Sequence, residues 1–341
     1  MFRNNILFVV FLISLTLLLN TAFAAEKAKK TYEKASVLKG HSKDVQAVAF
    51  SPDGTILATG SSDKTVMLWT TDTWKTIKTL EGHEEEVKAL AFSPDGKMLA
   101  SGDKDKRILL WDVVSGKQTG KIKAYDSVNA LSFSPDGKLL AIAADDNVIA
   151  LWDIAKNEVS KKLKGHKDNV NSIAFSPDGK TLASGSKDSM VVIWDAATGE
   201  ALVNTRGGHI NDVLCLAFSP DGKVVATGGA DYLIFIWDSK TGESIHRLMR
   251  HSEGVRSVVF SPDSKVMVSV EGKSSVVREQ WRIPVAATSS ADTCNMVVWD
   301  PQTWKIIGSI RGACDVNSLA VSSGGKRIAA AGNAVTIYER K

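Results

Sequence analysis

The pentapeptide Phe-Ser-Pro-Asp-Gly begins at Phe50, Phe92, Phe133, Phe175 and Phe218, and no other feature of the chain limits its fold as strongly. It returns as Phe-Ser-Pro-Asp-Ser at Phe260 and, eroded, as Val-Ser-Ser-Gly-Gly at Val321. A second marker keeps the same period. Tryptophans stand at Trp69, Trp111, Trp152, Trp194, Trp237 and Trp299, with Tyr338 in the seventh place, at steps of 42, 41, 42, 43, 62 and 39 residues. Units of this length that recur along a chain cannot each bury an apolar face alone, so the copies must stack on one another. Each unit opens with an alternating run such as Val45, Ala47, Ala49 and continues through the pentapeptide to a second apolar run. A polar turn and a third run, Val66-Met67-Leu68-Trp69 in the first copy, complete it. Proline second and glycine fourth in Ser-Pro-Asp-Gly is type I turn chemistry. Short strands with turn signals about every 8 to 12 residues, and no helical period, predict an all-β closed architecture.

A polar set travels with the repeat. From His41, Thr59 lies 18 residues on, Asp63 lies 22 on and Trp69 lies 28 on. The same offsets recur from His83 (Ser101, Asp105, Trp111), from His166 (Ser184, Asp188, Trp194) and from His209 (Thr227, Asp231, Trp237). A histidine, a hydroxyl and a carboxylate at fixed spacing would also describe a nucleophilic triad. A triad acts as a single unit in an enzyme, whereas this set appears in four equivalent copies. Buried polar groups are tolerated when they satisfy one another, and a complete network then fixes one packing. The repetition assigns the set to scaffold.

With Gly-His near its start and Trp-Asp at its end, a unit of about 40 to 45 residues resembles the WD40 repeat, four strands to a propeller blade. The resemblance covers about Ala35 to Lys341, nearly the whole chain. It implies a single seven-bladed β-propeller in which each polar set is the hydrogen-bond network of one blade. It also implies ring closure by an N-terminal strand, here Lys34 to Leu38, because the chain ends just after Tyr338 and the last unit lacks its outer strand. Closure removes a sheet edge that would invite aggregation. Three units depart from the pattern. Unit three has Tyr125 for the histidine and Ile142 for the hydroxyl, keeping Asp146 and Trp152. Unit seven has Ala313 for the histidine and a shortened turn near Asn333. Unit six keeps His251 and Ser269 and then runs into an insertion, residues 273–293. Blades three, six and seven are therefore expected to be less rigid than the rest.

The first segment reads differently. Arg3 is the one charge before an apolar run from Ile6 to Leu19, and Ala22-Phe23-Ala24 comes next with small residues where a signal peptidase reads. The run is short for a membrane span of about 20 residues. Residues 1–24 are expected to be a cleaved export signal, residues 25–34 a polar linker and residues 35–341 the propeller. The chain is expected to be periplasmic in a Gram-negative source and secreted otherwise, with no stable membrane span after cleavage. Its 42 basic and 38 acidic residues are interleaved, giving a net charge of +4 and no field that points to nucleic acid. Cys215, within Val-Leu-Cys-Leu-Ala-Phe, reads as a small core residue.

The resemblance places the Gly-His loops and the aspartate turns on one face, where a partner would bind. Tyr232 sits in such a turn at a place usually given to a small residue, and contact with a partner or packing on its own blade are both open. The insertion carries Arg278, Trp281 and Arg282, the residue types that anchor interfaces. Long loops on rigid scaffolds tend to carry function, although this one would equally serve to cap the central channel. Cys294 ends the insertion and Cys314 opens the next blade, so either a disulfide or two buried thiols fit. Trp74 and Trp304 hold matching turns on the opposite face, as a second aromatic surface or as packing. No zinc signature, phosphate-binding glycine loop or serine-nucleophile elbow occurs, and every histidine but His246 belongs to the repeat. The leading expectation is a non-catalytic protein–protein interaction scaffold, a monomer or part of a hetero-complex, needing no cofactor. The alternative is a propeller enzyme or small-ligand binder using the central channel.

Overall fold

The computed structural model describes residues 32–205, 207–272, 295–313 and 315–340. Among them, 28 strands form seven four-stranded antiparallel sheets. Six sheets take four consecutive strands, as in blade one with Val45–Phe50, Ile56–Ser61, Val66–Thr70 and Thr76–Leu80. The first strands of the seven blades touch in sequence order, and that of blade seven touches that of blade one. The ring is therefore closed: an all-β, seven-bladed propeller.

Burial explains why each strand reads as it does. The second and third strands of a blade are covered on both sides by neighbouring blades, so Ile56–Ser61 and Val66–Thr70 are buried almost throughout. Such strands appear as continuous apolar runs rather than alternating ones. The outer strand Thr76–Leu80 is largely exposed and carries polar residues. The core lies between blades: Leu57 and Trp69 pack with Ala329 and Ile337 of blade seven, and Leu68 packs with Leu99 and Trp111 of blade two. Each blade thus buries its apolar faces only through its neighbours.

Antiparallel connectivity sorts the loops onto two faces. Links from first to second and from third to fourth strands lie on the lower face, and the remaining links lie on the upper. On the lower face the repeated Ser-Pro-Asp-Gly turn closes itself. Ser51 Oγ donates to Asp53 Oδ1 at 2.5 Å and accepts from the Ile56 N–H at 2.9 Å, while Gly54 takes the left-handed φ of 73°. Glycine is the residue that adopts that backbone without a Cβ penalty.

Side chains on the innermost strands stitch one blade to the next. Asn129 Nδ2 donates to Val170 O at 3.1 Å, Asn171 Nδ2 to Val213 O at 2.9 Å and Asn317 Nδ2 to Val45 O at 3.0 Å. Cys215 belongs to the same series, its Sγ lying 3.4 Å from Val255 O. Burial pushes that thiol up to about 12, so it stays protonated and unreactive. Ser132 Oγ, Ser172 Oγ and Ser257 Oγ accept from Phe175 N, Leu216 N and Leu319 N of the following blades.

The ring closes with the strand Tyr32–Leu38, which pairs with Val335–Arg340 as the outer strand of blade seven. The strand starts at Tyr32, so residues 32–34 belong to the propeller and not to the expected linker. Tyr32 is only 2% exposed and its hydroxyl donates to Gly325 O at 2.6 Å, which anchors the start of the strand. Trp74 adds a latch at the same seam. It occupies the left-handed turn position that Gly116, Gly199 and Gly242 hold in other blades, and the Arg327 guanidinium of blade seven lies 5.3 Å from its ring. Trp304 does the equivalent between blades six and five, its ring 5.8 Å from that of His246. Both tryptophans are packed against neighbouring blades.

A chain beginning at Gly40 lacks the closing strand and leaves Val335–Arg340 as an open sheet edge. It is expected to aggregate on size-exclusion chromatography, while a chain beginning at Ala25 elutes as a folded species with a cooperative melt. Equal melting of the two chains would refute closure by this strand.

Candidate functional site

The polar sets lie beneath the upper face, where the loop entering each blade meets the turn between its second and third strands. In blade one, Trp69 Nε1 donates to Thr59 Oγ1 at 2.9 Å, and Thr59 Oγ1 stands 2.7 Å from His41 Nε2. His41 Nδ1 lies 2.9 Å from Asp63 Oδ2, and because a carboxylate only accepts, the ring nitrogen donates there. Blade four repeats this with His166, Asp188, Ser184 and Trp194 at 2.7 to 2.9 Å. Blade five does so with His209, Asp231, Thr227 and Trp237 at 2.8 to 3.0 Å. In these blades the glycine before the histidine is set by the indole: a Cβ at Gly40 would stand 2.8 Å from Trp69, and one at Gly165 would stand 3.0 Å from Trp194.

The carboxylate also gathers backbone. Asp63 accepts from Ser42 N at 2.9 Å, Thr65 N at 3.0 Å and Thr65 Oγ1 at 2.7 Å. Burial alone raises its pKa, but the donors Thr65, Ser42 and His41 outweigh burial and hold it at about 2. The turn and the incoming loop are thereby pinned to one ionised group.

Blade two corrects the sequence expectation. The acid bonded to His83 is Asp103, with Nδ1 to Oδ2 at 2.7 Å, and not Asp105. Asp103 is two residues after Ser101, hence on the same side of the strand, and is wholly buried. Its Oδ1 takes the N–H groups of Asp105 and Arg107, both at 2.9 Å. Asp105 points outward and pairs with Arg107 at 3.0 Å. In blades one and four this place belongs to Ser61 and Ser186, whose hydroxyls bond the incoming loop instead. His83 Nε2 and Trp111 Nε1 still meet Ser101 Oγ, at 2.6 and 2.8 Å.

Blade six uses the same alternative place. Glu271 accepts from Ser252 N at 2.6 Å and Glu253 N at 3.2 Å, with His251 Nδ1 3.5 Å away. His251 Nε2 and Trp299 Nε1 both reach Ser269 Oγ, at 2.7 and 2.8 Å, while the buried His251 Nδ1 makes no hydrogen bond, so the network re-forms only in part across the insertion. Blade three differs. With Tyr125 and Ile142 in place of the imidazole and hydroxyl, Asp146 Oδ1 and Trp152 Nε1 are buried without a hydrogen-bond partner. Burial raises the Asp146 pKa accordingly.

Among the described residues, the upper rim of blade five carries the most exposed apolar side chains of that face. Ile210 is 63% exposed and Met249 57%. Tyr232 lies between them in the chain's pairing: the Ile210 N–H donates to Asp231 Oδ2 at 3.1 Å, and Leu233 pairs with Met249. Tyr232 is half-buried and holds a left-handed φ of 71°, a strained backbone for an aromatic residue. Ile210 was legible in principle, since Ser42, Glu84, Lys167 and Ser252 follow the other histidines. The strands flanking the insertion, Met267–Glu271 and Asn295–Asp300, meet the upper face. Arg278, Trp281, Arg282, Cys294 and Cys314 lie outside the described residues. Among the described residues, no group of three or more His, Cys, Asp or Glu side chains is placed to hold a metal ion.

Comparison with known proteins agrees with this geometry. Residues 88–280, more than half of the chain, match the family model described as WDR19 first beta-propeller, and residues 32–70 match that of the WD domain, G-beta repeat. A segment of 32 residues is 66% identical to Protein Mut11 of Chlamydomonas reinhardtii, covering 9% of each chain. Another of 47 residues is 43% identical to the probable cytosolic iron-sulfur protein assembly protein 1 of Candida glabrata, covering 14% of each. The chain thus spans well under two thirds of either relative, about one repeat in each case.

Replacing Asp103 with Ala strands the His83 Nδ1 donor and two backbone N–H groups. It is expected to cost about 2–3 kcal/mol in denaturant unfolding, as buried unsatisfied donors do. Asp105→Ala removes a surface contact and is expected to stay within about 0.5 kcal/mol. The reverse order would show that the acid has been misplaced.

Proposed function

The chain belongs to the family of WD40-repeat β-propellers, and from that premise we propose that it is a non-catalytic scaffold binding a protein or peptide partner through its upper face. Members of this family are typically interaction scaffolds rather than enzymes. One observation carries the finer reading: the exposed Ile210 and Met249 on the rim of blade five, with the half-buried Tyr232 next to their bonded partners in the chain. Apolar side chains grouped on a surface mark interaction sites, and tyrosine is enriched among binding hot spots. The strands flanking residues 273–293 meet the same face, and in this reading Trp281, with Arg278 and Arg282 near it in the sequence, supplies further anchors.

Against a catalytic reading stands the fate of the histidines. His41, His83, His166, His209 and His251 are committed inside their blades, and His246 rests on Trp304. The first four imidazoles are bonded at both nitrogens and have no lone pair or proton to offer a substrate, while His251 Nδ1 is buried beside Glu271. The apolar run Ile6 to Leu19 and the Ala22-Phe23-Ala24 site support export, so the partner is sought outside the cytosol. N-terminal sequencing of the chain from its native source should then begin at Ala25.

Affinity capture from native extract tests the binding reading. The double variant Ile210→Asp/Tyr232→Ala, with an unchanged melting temperature, is expected to lose the captured partner. Deletion of residues 273–293 is expected to weaken capture independently. Retention of every captured protein by both variants would remove the upper face from consideration.

A further inference from the structure

The lower face holds a cleft that the upper-face reading leaves unused. It lies between blades two and three and has a volume of about 590 Å³. Met98 and Trp111 of blade two and Phe133 of blade three supply its apolar lining. Three carboxylates stand around it: Asp95 and Asp136 from consecutive Ser-Pro-Asp-Gly turns and Asp112 from the end of a third strand. Lys97 is the one cation in the lining. The neighbouring turn ends in Val114, which is 81% exposed, the most open large apolar side chain among the described residues.

The carboxylates are fixed before any partner arrives. Asp95 Oδ1 accepts from Ser93 Oγ and Lys97 N, Asp112 Oδ1 from Ser115 N and Oγ, and Asp136 Oδ1 from Ser134 Oγ and Lys138 N. Donation from Ser93, Ser115 and Ser134 holds all three below the usual carboxylate range, so they are ionised at neutral pH. The one ion pair among them, Lys138 to Asp136 Oδ2 at 3.4 Å, joins two well-exposed side chains and is weak.

We propose that this cleft is a second interaction surface, built for a partner segment in which an arginine side chain is flanked by apolar residues. An arginine carries an apolar stem and a planar cation, and the cleft offers an apolar floor beneath an acidic rim. The guanidinium takes the rim carboxylates in charge-assisted hydrogen bonds while the stem lies against Met98 and Phe133. Val114 meets the flanking apolar residue. A net acidic lining turns away nucleic acid and anionic lipid surfaces, which leaves a protein segment as the occupant.

The full chain is titrated with the probe peptide acetyl-Ala-Val-Arg-Val-Ala-amide, and with the same peptide carrying citrulline, which keeps the stem and loses the charge. Saturable binding that follows the Trp111 indole resonance is expected, weaker by about tenfold or more for the citrulline peptide. Asp136→Asn is expected to weaken binding by about fivefold or more. Asp178→Asn, in the corresponding turn of blade four, is expected to change nothing. Thr119 lies on the exposed outer strand and lines the cleft, so Thr119→Arg delivers the chain's own guanidinium and is expected to abolish binding with the fold intact. That variant decides the matter if Asp136→Asn proves unstable. Equal affinity for the citrulline peptide, undiminished binding by Thr119→Arg, or no saturation below about 1 mM would overturn the proposal.

Discussion

An imidazole buried with both ring nitrogens bonded is the constraint on which most of this structure rests. One nitrogen holds a strand hydroxyl that also takes the tryptophan N–H, and the other holds a carboxylate that collects backbone amides from the loop and turn. Each contact in isolation contributes about 1 kcal/mol. Their weight lies in connectivity, because removing any member leaves its partners buried and unbonded. The network thereby sets the direction in which the upper-face loops leave the blade. Loops launched from fixed points can vary in sequence without disturbing the sheet below them.

The acid in this network is defined by where its oxygen arrives and not by its number in the repeat. Blades one, four and five bring it from the turn, through Asp63, Asp188 and Asp231. Blade two brings it from the strand end, through Asp103, and Glu271 occupies the same strand-end place in blade six. Two backbone positions on one side of a strand and its turn can deliver a carboxylate to the same point. Blade three lacks both imidazole and hydroxyl, and its remaining polar groups bear the cost. Asp146 Oδ1 and Trp152 Nε1 stay buried and unbonded, and the blade is held by its neighbours' apolar faces, through Leu140, Ile142 and Ala150 on one side and Ala141, Ile149 and Leu151 on the other.

Much of this was legible in the sequence because the fold is periodic. Seven copies of a turn and a terminal aromatic fix the number of blades, and fixed offsets identify His41, Thr59 and Trp69 and their counterparts as one network. The same reliance on offsets misassigned Asp105, since spacing records the commonest solution and carries no information about side-chain direction. Glu271 escapes the offsets for that reason as well, and with it the partly re-formed network of blade six. The blade-five cluster was half legible: Tyr232 departs from the pattern in a turn, whereas Met249 lies on an outer strand where apolar residues are unremarkable until exposure is known. Trp74 and Trp304 were ambiguous by sequence, because an aromatic in a turn looks alike whether it faces solvent or a neighbouring blade. The cleft between blades two and three joins residues from four separate stretches, and no single stretch announces it.

The two faces divide the work of recognition by different physics. On the upper face, the networks hold loops whose outward side chains are free to differ, and blade five has acquired apolar ones. On the lower face, the turns are nearly invariant within the chain because each uses its own serine, aspartate and glycine to close. Variation there comes from the residues between turns, and in blade two Met98 and Thr119 line the cleft beside Phe133 of the repeated pentapeptide. The structural aspartates of those turns then face a cavity while remaining bonded in place. A group fixed for folding and ionised by its own turn is already organised for a cation, so a lower-face site requires no residue beyond those the repeat supplies.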